Sequence, residues 1–159
     1  MSENQAVGEP VEAGSGLVEV RTGDWMGWST WVSDAFEQRA GPFYERMEAD
    51  GTRVSAFRAE RRHMNGAGFM HGGCLMTFAD SALFTIAQDA LGDSHGVTMN
   101  LSGDFLDAAR EGQLIEGRGE VTRAGGKTIY VRGIVTADGQ PVLSFTGIIR
   151  KIALSASNP

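Results

Sequence analysis

Residues 73–92, GCLMTFADSALFTIAQDALG, are the chain's one long apolar run, and no second run like it interrupts the four strand-like stretches that follow. The run is apolar around most of a helical circumference and is stopped by Gly92, which predicts a single buried helix. After it come VTMNLSGDFLDAA, GQLIEGRGEVTRA, KTIYVRGIVTA and QPVLSFTGIIRKI, parted by the turn signals RE, GG and DG. Connections that short favour antiparallel neighbours. With a strand beginning near Thr52 ahead of the helix, the predicted order is helix, strand, long helix, four strands. That order describes an α+β protein in which an antiparallel sheet covers one central helix.

The rest of the chain reads as one domain over 24–152, with a loose N-terminal tail at 1–23 and a short C-terminal tail at 153–159. Within the domain, Trp25, Trp28, Trp31, Val32 and Phe36 recur at helical spacing, which predicts a first helix that packs an aromatic stripe on the core until Gly41-Pro42 breaks it. A net charge of −6 with a sequence pI near 5.0 argues against a dedicated nucleic-acid surface. No apolar stretch reaches the roughly 18–20 residues of a membrane span. The single cysteine, Cys74, excludes an internal disulfide framework, and the first ten residues lack the charged and apolar regions of a secretory leader, so a cytoplasmic setting is expected.

Three chemistries are poorly served by the residues present. GDSHG at 92–96 matches the nucleophile-elbow pattern G-x-S-x-G, but Ser94 follows a helical stretch where the elbow needs a strand, and no histidine follows His95. His63, His71 and His95 show no H-x-x-x-H spacing, so no metal is expected. Cys74, near a helix start, has no base partner and reads as a small core residue.

What remains is Asp80 inside the apolar run, with NGAGFMHGG ahead of it. Thr77, Asp80, Ser81, Thr85 and Gln88 recur at three- and four-residue steps, which fits a solvated stripe as well as a site. A helix opening on small residues, however, exposes unpaired backbone N–H groups at its positive end, suited to a developing oxyanion, and Gly72 and Gly73 let a ligand approach them. If the helix begins near Gly72, Asp80 lies roughly 12 Å along its axis, too far for both to serve one carbonyl in the same chain. A second copy with its helix running antiparallel would bring Asp80 of one subunit to Gly72 of the other, making two equivalent sites.

The run N-G-A-G-F-M-H-G-G-x(6)-A-D, followed by GVTMNLSGDFLDAA, resembles the hotdog-fold acyl-CoA thioesterases of the phenylacetyl-CoA, PaaI-like type, over roughly residues 40–152. The resemblance implies a curved antiparallel sheet wrapped around a central helix, assembled as homodimers and dimers of dimers. It implies an acyl-CoA substrate, with coenzyme A part of that substrate and no separate cofactor. It gives Asp80 the role of base or nucleophile, the Gly72 N–H that of carbonyl polariser, Asn65 that of positioning water or substrate, and His71 the helix entrance. Thr98 occupies the place of a hydroxyl that assists the water. Arg123 and Lys127, flanking the AGG turn, are the candidates for the coenzyme A phosphates. Two other readings stand beside hydrolysis: a non-catalytic acyl-CoA binding module, and a hotdog hydratase or dehydratase.

Overall fold

The computed structural model describes residues 16–152. Along the chain run β1 (Leu17–Glu19), β2 (Ser29–Trp31), α1 (Ala35–Ala40), β3 (Tyr44–Met47) and β4 (Arg53–Arg58). They are followed by a 3-10 turn at Arg61–His63, α2 (Gly72–Leu91), β5 (His95–Phe105), β6 (Leu114–Ala124), β7 (Thr128–Ala137) and β8 (Gln140–Ile152). All eight strands join one sheet in the order β1-β2-β3-β4-β6-β7-β8-β5, and every pairing is antiparallel. The sheet curls around α2, which is the hotdog arrangement.

The packing of α2 follows from its side-chain spacing. Leu75, Phe78, Ala79, Ala82, Leu83 and Ile86 form a stripe at three- and four-residue steps that is buried against Phe57, Ile115, Val135, Phe145 and Ile149 from the strands. Small residues set how closely the helix lies on the sheet: a Cβ added at Gly117 on β6 would stand 2.7 Å from the Ala82 Cβ. The Gly92 N–H closes the helix on the Gln88 carbonyl, with Gly92 at φ 57°.

Three expectations need correction. Residues 17–19, assigned to a loose tail, form β1, which pairs with β2 from Leu17↔Trp31 to Glu19↔Ser29; residues 1–15 and 153–159 lie outside the described residues. The tryptophan stripe is not one helix. Gly27, at φ 84°, turns the chain, β2 carries Trp31, and only Ala35–Ala40 is helical. Trp25 stacks on Tyr44 at 4.2 Å and meets Trp28 edge-on at 5.2 Å, building a small second core with Val54 and Ala56, while Val32 and Phe36 are exposed. A three-residue spacing of large aromatics fits that turn-and-strand cluster as well as a helix.

The third correction concerns the RE signal. β5 and β6 are not neighbours: β5 pairs with β8 at one edge of the sheet, and β6 pairs with β4 and β7. The link 106–113 therefore crosses from edge to centre. It is anchored where it passes the start of α2, because Ala109 is fully buried and its carbonyl accepts the Met70 N–H at 2.8 Å.

Candidate active site

α2 begins at Gly72 with His71 as its N-cap. The His71 Nδ1 accepts the Gly73 N–H at 2.9 Å, and the His71 carbonyl accepts the N–H groups of Cys74 and Leu75 at 2.9 and 3.1 Å. The Leu75 bond is the first regular helical one; of the four amides that a helix start leaves open, Gly73 and Cys74 are occupied by the other two bonds and His71 by the His63 carbonyl. The Gly72 N–H has no acceptor among the described residues. The Phe105 ring at the end of β5 packs beside the Gly72 Cα, so close that a Cβ at Gly72 would stand 3.1 Å from Phe105 Cζ. Glycine is what lets that ring, or a ligand in its place, reach the amide.

The loop before the helix is organised by Asn65. Its side-chain carbonyl accepts the N–H groups of Ala67 and Phe69 at 2.9 and 3.2 Å, and its backbone pairs with Phe69 and Gly68. Asn65 thus holds the shape of the Gly66–Gly68 turn, while its amide nitrogen has no partner among the described residues. Behind the loop, His63 is buried; its Nδ1 accepts the Glu60 N–H at 2.9 Å and its carbonyl accepts the His71 N–H at 2.8 Å. Burial holds the His63 ring below the usual imidazole range, with Arg62 acting in the same direction. Cys74 is half-buried, and burial pushes its thiol up to about 11, the opposite of what a helix start would do to a reactive cysteine.

Asp80 is on the face of α2 opposite the core stripe. Thr98 on β5 donates its hydroxyl to Asp80 Oδ1 at 2.7 Å. A bulge makes that contact possible: Thr98 pairs with Ile149 and Asn100 with Ile148, leaving Met99 unpaired. Gly96 packs on Leu91 and Phe84 and Gly103 on Met76, so Gly96 with Thr98 at one end of the strand, and Leu101 with Gly103 at the other, face α2 two residues apart. Leu101 also packs on the core, three residues from Thr98, and the extra residue at Met99 absorbs the break in alternation.

Thr77, Asp80, Ser81 and Gln88, which the sequence also allowed to be a solvated stripe, line a cavity of about 560 Å³. Its other walls come from β2, α1, β3 and the start of β5, and they carry three carboxyl groups the sequence reading did not single out: Asp34, whose side chain caps α1, and the two glutamates Glu37 and Glu45. Glu45 is buried, and its Oε2 accepts from Trp31 Nε1 at 3.3 Å and Thr85 Oγ1 at 3.1 Å. Glu37 of α1 is raised from 4.5 to about 7, chiefly by burial; the Ser81 hydroxyl opposes the shift, and the charges of Asp34, Glu45 and Asp80 reinforce it. Only Glu45 had a visible signal, since it stands two residues beyond Phe43 and alternation turns both inward.

Other candidates fall elsewhere. Arg123 and Lys127 flank the β6–β7 hairpin, where the Lys127 carbonyl accepts the Lys151 N–H at 2.8 Å. That puts them at the end of the sheet where Ile152 pairs with His95, just past the C-terminus of α2, and roughly 28 Å of helix separates this end from Gly72. Ser94 lies in the turn between α2 and β5, with its N–H on the Leu91 carbonyl, so a helix precedes it where an elbow would need a strand. No group of three His, Cys, Asp or Glu is arranged to hold a metal among the described residues, and no helix there is long and apolar enough to cross a membrane.

One helix in a curled antiparallel sheet, with a carboxylate facing a cavity and a bare amide at the helix mouth, defines the hotdog thioester hydrolases. Comparison with known proteins agrees: residues 67–144 match the model of the thioesterase superfamily. A Pseudomonas aeruginosa protein that carries a provisional esterase name is 31% identical over 109 residues, covering 68% of this chain and 81% of its own. The chain belongs to the thioesterase superfamily. Among solved structures it is similar to a mutant form of the phenylacetic acid degradation protein PaaI from Thermus thermophilus, at 28% identity and TM-score 0.64, covering 75% of this chain and all of that one. A Bacillus halodurans protein solved with CoA shares the fold at 22% identity and TM-score 0.64, over 69% of this chain and 73% of that one.

Proposed function

We propose that the protein hydrolyses acyl-CoA thioesters at two equivalent sites formed across a two-fold dimer, each from Asp80 of one protomer and the helix mouth of the other. The observation that carries the reading is the pair of complementary groups on α2: a carboxylate held by Thr98 at the wall of a cavity, and a Gly72 N–H with no acceptor among the described residues. The two lie roughly 12 Å apart along one helix, so each needs a second copy. β5 supports that pairing. It is an eleven-residue edge strand with no partner on its outer side among the described residues, and it exposes Val97, Met99 and Phe105. Such an edge invites a matching strand.

In this reading the thioester carbonyl accepts the Gly72 N–H at the positive end of α2, a donor that typically supplies a few kcal/mol to the tetrahedral oxyanion. Asp80 deprotonates the attacking water or attacks directly, Thr98 fixes the carboxylate, and Asn65 and His71 shape the entrance. With antiparallel helices, Arg123 and Lys127 fall on the half of the dimer that holds their own Asp80 and the partner's mouth, where they meet the phosphates of coenzyme A. Pairing of dimers would use the sheet's outer face, where Tyr130 and Ile134 are exposed. A cytoplasmic setting rests on the lone, unpaired cysteine.

Subunit complementation tests the reading. Asp80→Asn and Gly72→Pro should each lower acyl-CoA hydrolysis by at least about 100-fold, the second because proline keeps a first-turn position helical but removes its N–H. Mixed after unfolding and refolded together, the two inactive proteins should regain about a quarter of wild-type activity, since half the dimers are mixed and each mixed dimer keeps one intact site. No recovery from mixtures shown to contain mixed dimers would exclude a shared site, full activity of Asp80→Asn would exclude Asp80 as its catalytic carboxylate, and absence of any acyl-CoA hydrolysis by the wild type would exclude the hydrolase itself.

A further inference from the structure

The cavity beside Asp80 has a character that the hydrolytic reading alone does not use. At about 560 Å³ it falls in the range of small-molecule sites, and Trp31, Phe36 and Phe84 give it aromatic walls. Its far side is acidic. Glu45 has Oε2 already engaged by Trp31 and Thr85, whereas Glu37, half-buried at the cavity wall on α1, has the Ser81 hydroxyl of α2 beside it. No lysine or arginine lines the space, and its one basic side chain, His95, stands exposed at the start of β5.

Resting on the acyl-CoA reading above, we propose that this cavity receives the acyl group and that Glu37 sets its specificity, admitting acyl groups whose far end is neutral or a hydrogen-bond donor and rejecting those that end in a carboxylate. An acyl group held by its carbonyl at Asp80 extends along α2 between the aromatic walls, and its end approaches the carboxyl groups of Glu37 and Glu45. A hydroxyl there can donate to Glu37. A second anion there finds the carboxyl groups of Asp34, Glu37 and Glu45 and no fixed cation, and above about pH 7, where Glu37 is charged, like charges in a partly dry site repel strongly. Burial is the main cause that raises Glu37 to about 7 and the charges of Asp34, Glu45 and Asp80 add to it, so the comparison of thioesters is made above that pH.

The test compares thioesters matched in length: hexanoyl-, 6-hydroxyhexanoyl- and adipoyl-CoA, and on an aromatic scaffold phenylacetyl- and 4-carboxyphenylacetyl-CoA. Release of free thiol gives kcat/KM for each. On whichever scaffold is turned over, the carboxylate-ended member should be slower by roughly 10- to 100-fold, and the hydroxylated one at least equal to its parent. Glu37→Gln should raise the carboxylate-to-parent ratio about fivefold, whatever it does to absolute rates, and the wild-type ratio stands even if that variant folds poorly. Equal rates for the carboxylate-ended and parent thioesters, or a ratio that Glu37→Gln leaves unmoved, would overturn the proposal while leaving the hydrolase intact. Turnover of none of the five would remove the hydrolase reading and this one with it.

Discussion

Adding one methyl group at Gly117 tests whether the fold aims Asp80. Gly117 on β6 faces α2, and a Cβ there would stand 2.7 Å from the Ala82 Cβ and 3.3 Å from the Phe78 ring. Ordinary carbon contacts lie near 3.5–4.0 Å, so the two must separate by about 1 Å. Ala82 has no rotamer to change and Phe78 is fully buried, which leaves a rigid shift of the helix as the way out. Overpacking of this kind costs about 1–3 kcal/mol, and at this chain length each kcal/mol lowers Tm by about 2–4 °C. Asp80 is two residues before Ala82 and moves with it, which disturbs its contact with Thr98, and a displacement of about 1 Å at a reacting group can cost up to about 100-fold in rate. Urea melts with a constant m-value and thiol-release kinetics on Gly117→Ala measure both effects. Adding Ala82→Gly to Gly117→Ala reopens the gap and should restore most of kcat/KM, while the helical glycine keeps stability about 1 kcal/mol below wild type. If Gly117→Ala melts within about 1 °C of wild type at full activity, or if the two substitutions act additively, the helix is not positioned by that contact.

Other consequences are simpler to read. His71→Ala should destabilise by about 1 kcal/mol through loss of the N-cap, and His71→Asn, which can still accept the Gly73 N–H, should not; chemical denaturation of both separates capping from chemistry. Because burial pushes the Cys74 thiol up to about 11, it should react with a disulfide reagent at pH 8 at least about 100-fold more slowly than free cysteine, with the rate recovering in denaturant. Glu37 binds its proton more tightly folded than unfolded, so its contribution to stability is present below about pH 4.5 and lost as pH rises to about 7. Glu37→Gln should remove that slope from a plot of unfolding free energy against pH, and an unchanged slope would show that some other group titrates there.

What the sequence revealed depended on how far one residue pattern excluded others. α2 and the strand content of β5 to β8 were legible because a twenty-residue apolar run stopped by glycine, followed by alternating runs between short turns, fits few alternatives. β2 was not, because aromatics three residues apart satisfy a helix and a turn-and-strand cluster equally, and the left-handed Gly27 favours the second; β1 was not, because three residues at the end of a Gly- and Glu-rich stretch show no period. The position of β5 was hidden as well. RE reads as a hairpin, and what carries the chain across instead is burial of Ala109, a tertiary contact with no local signature. The contact of Thr98 with Asp80 depends on the bulge at Met99, which alternation alone would deny. Glu37 escaped notice because an exposed-looking glutamate in a short helix acquires its environment only when α1 is laid against α2.

The two margins of the sheet are unequal: β1 at one side has three residues, and β5 at the other has eleven. A body with a long adhesive rim on both sides would add copies without end, as fibres do, whereas one with a single such rim is finished once two copies have met rim to rim. If copies join through strand edges, as proposed above, the lopsidedness of the described sheet sets a stopping rule for growth across its strands, and any change that lengthened β1 would weaken it.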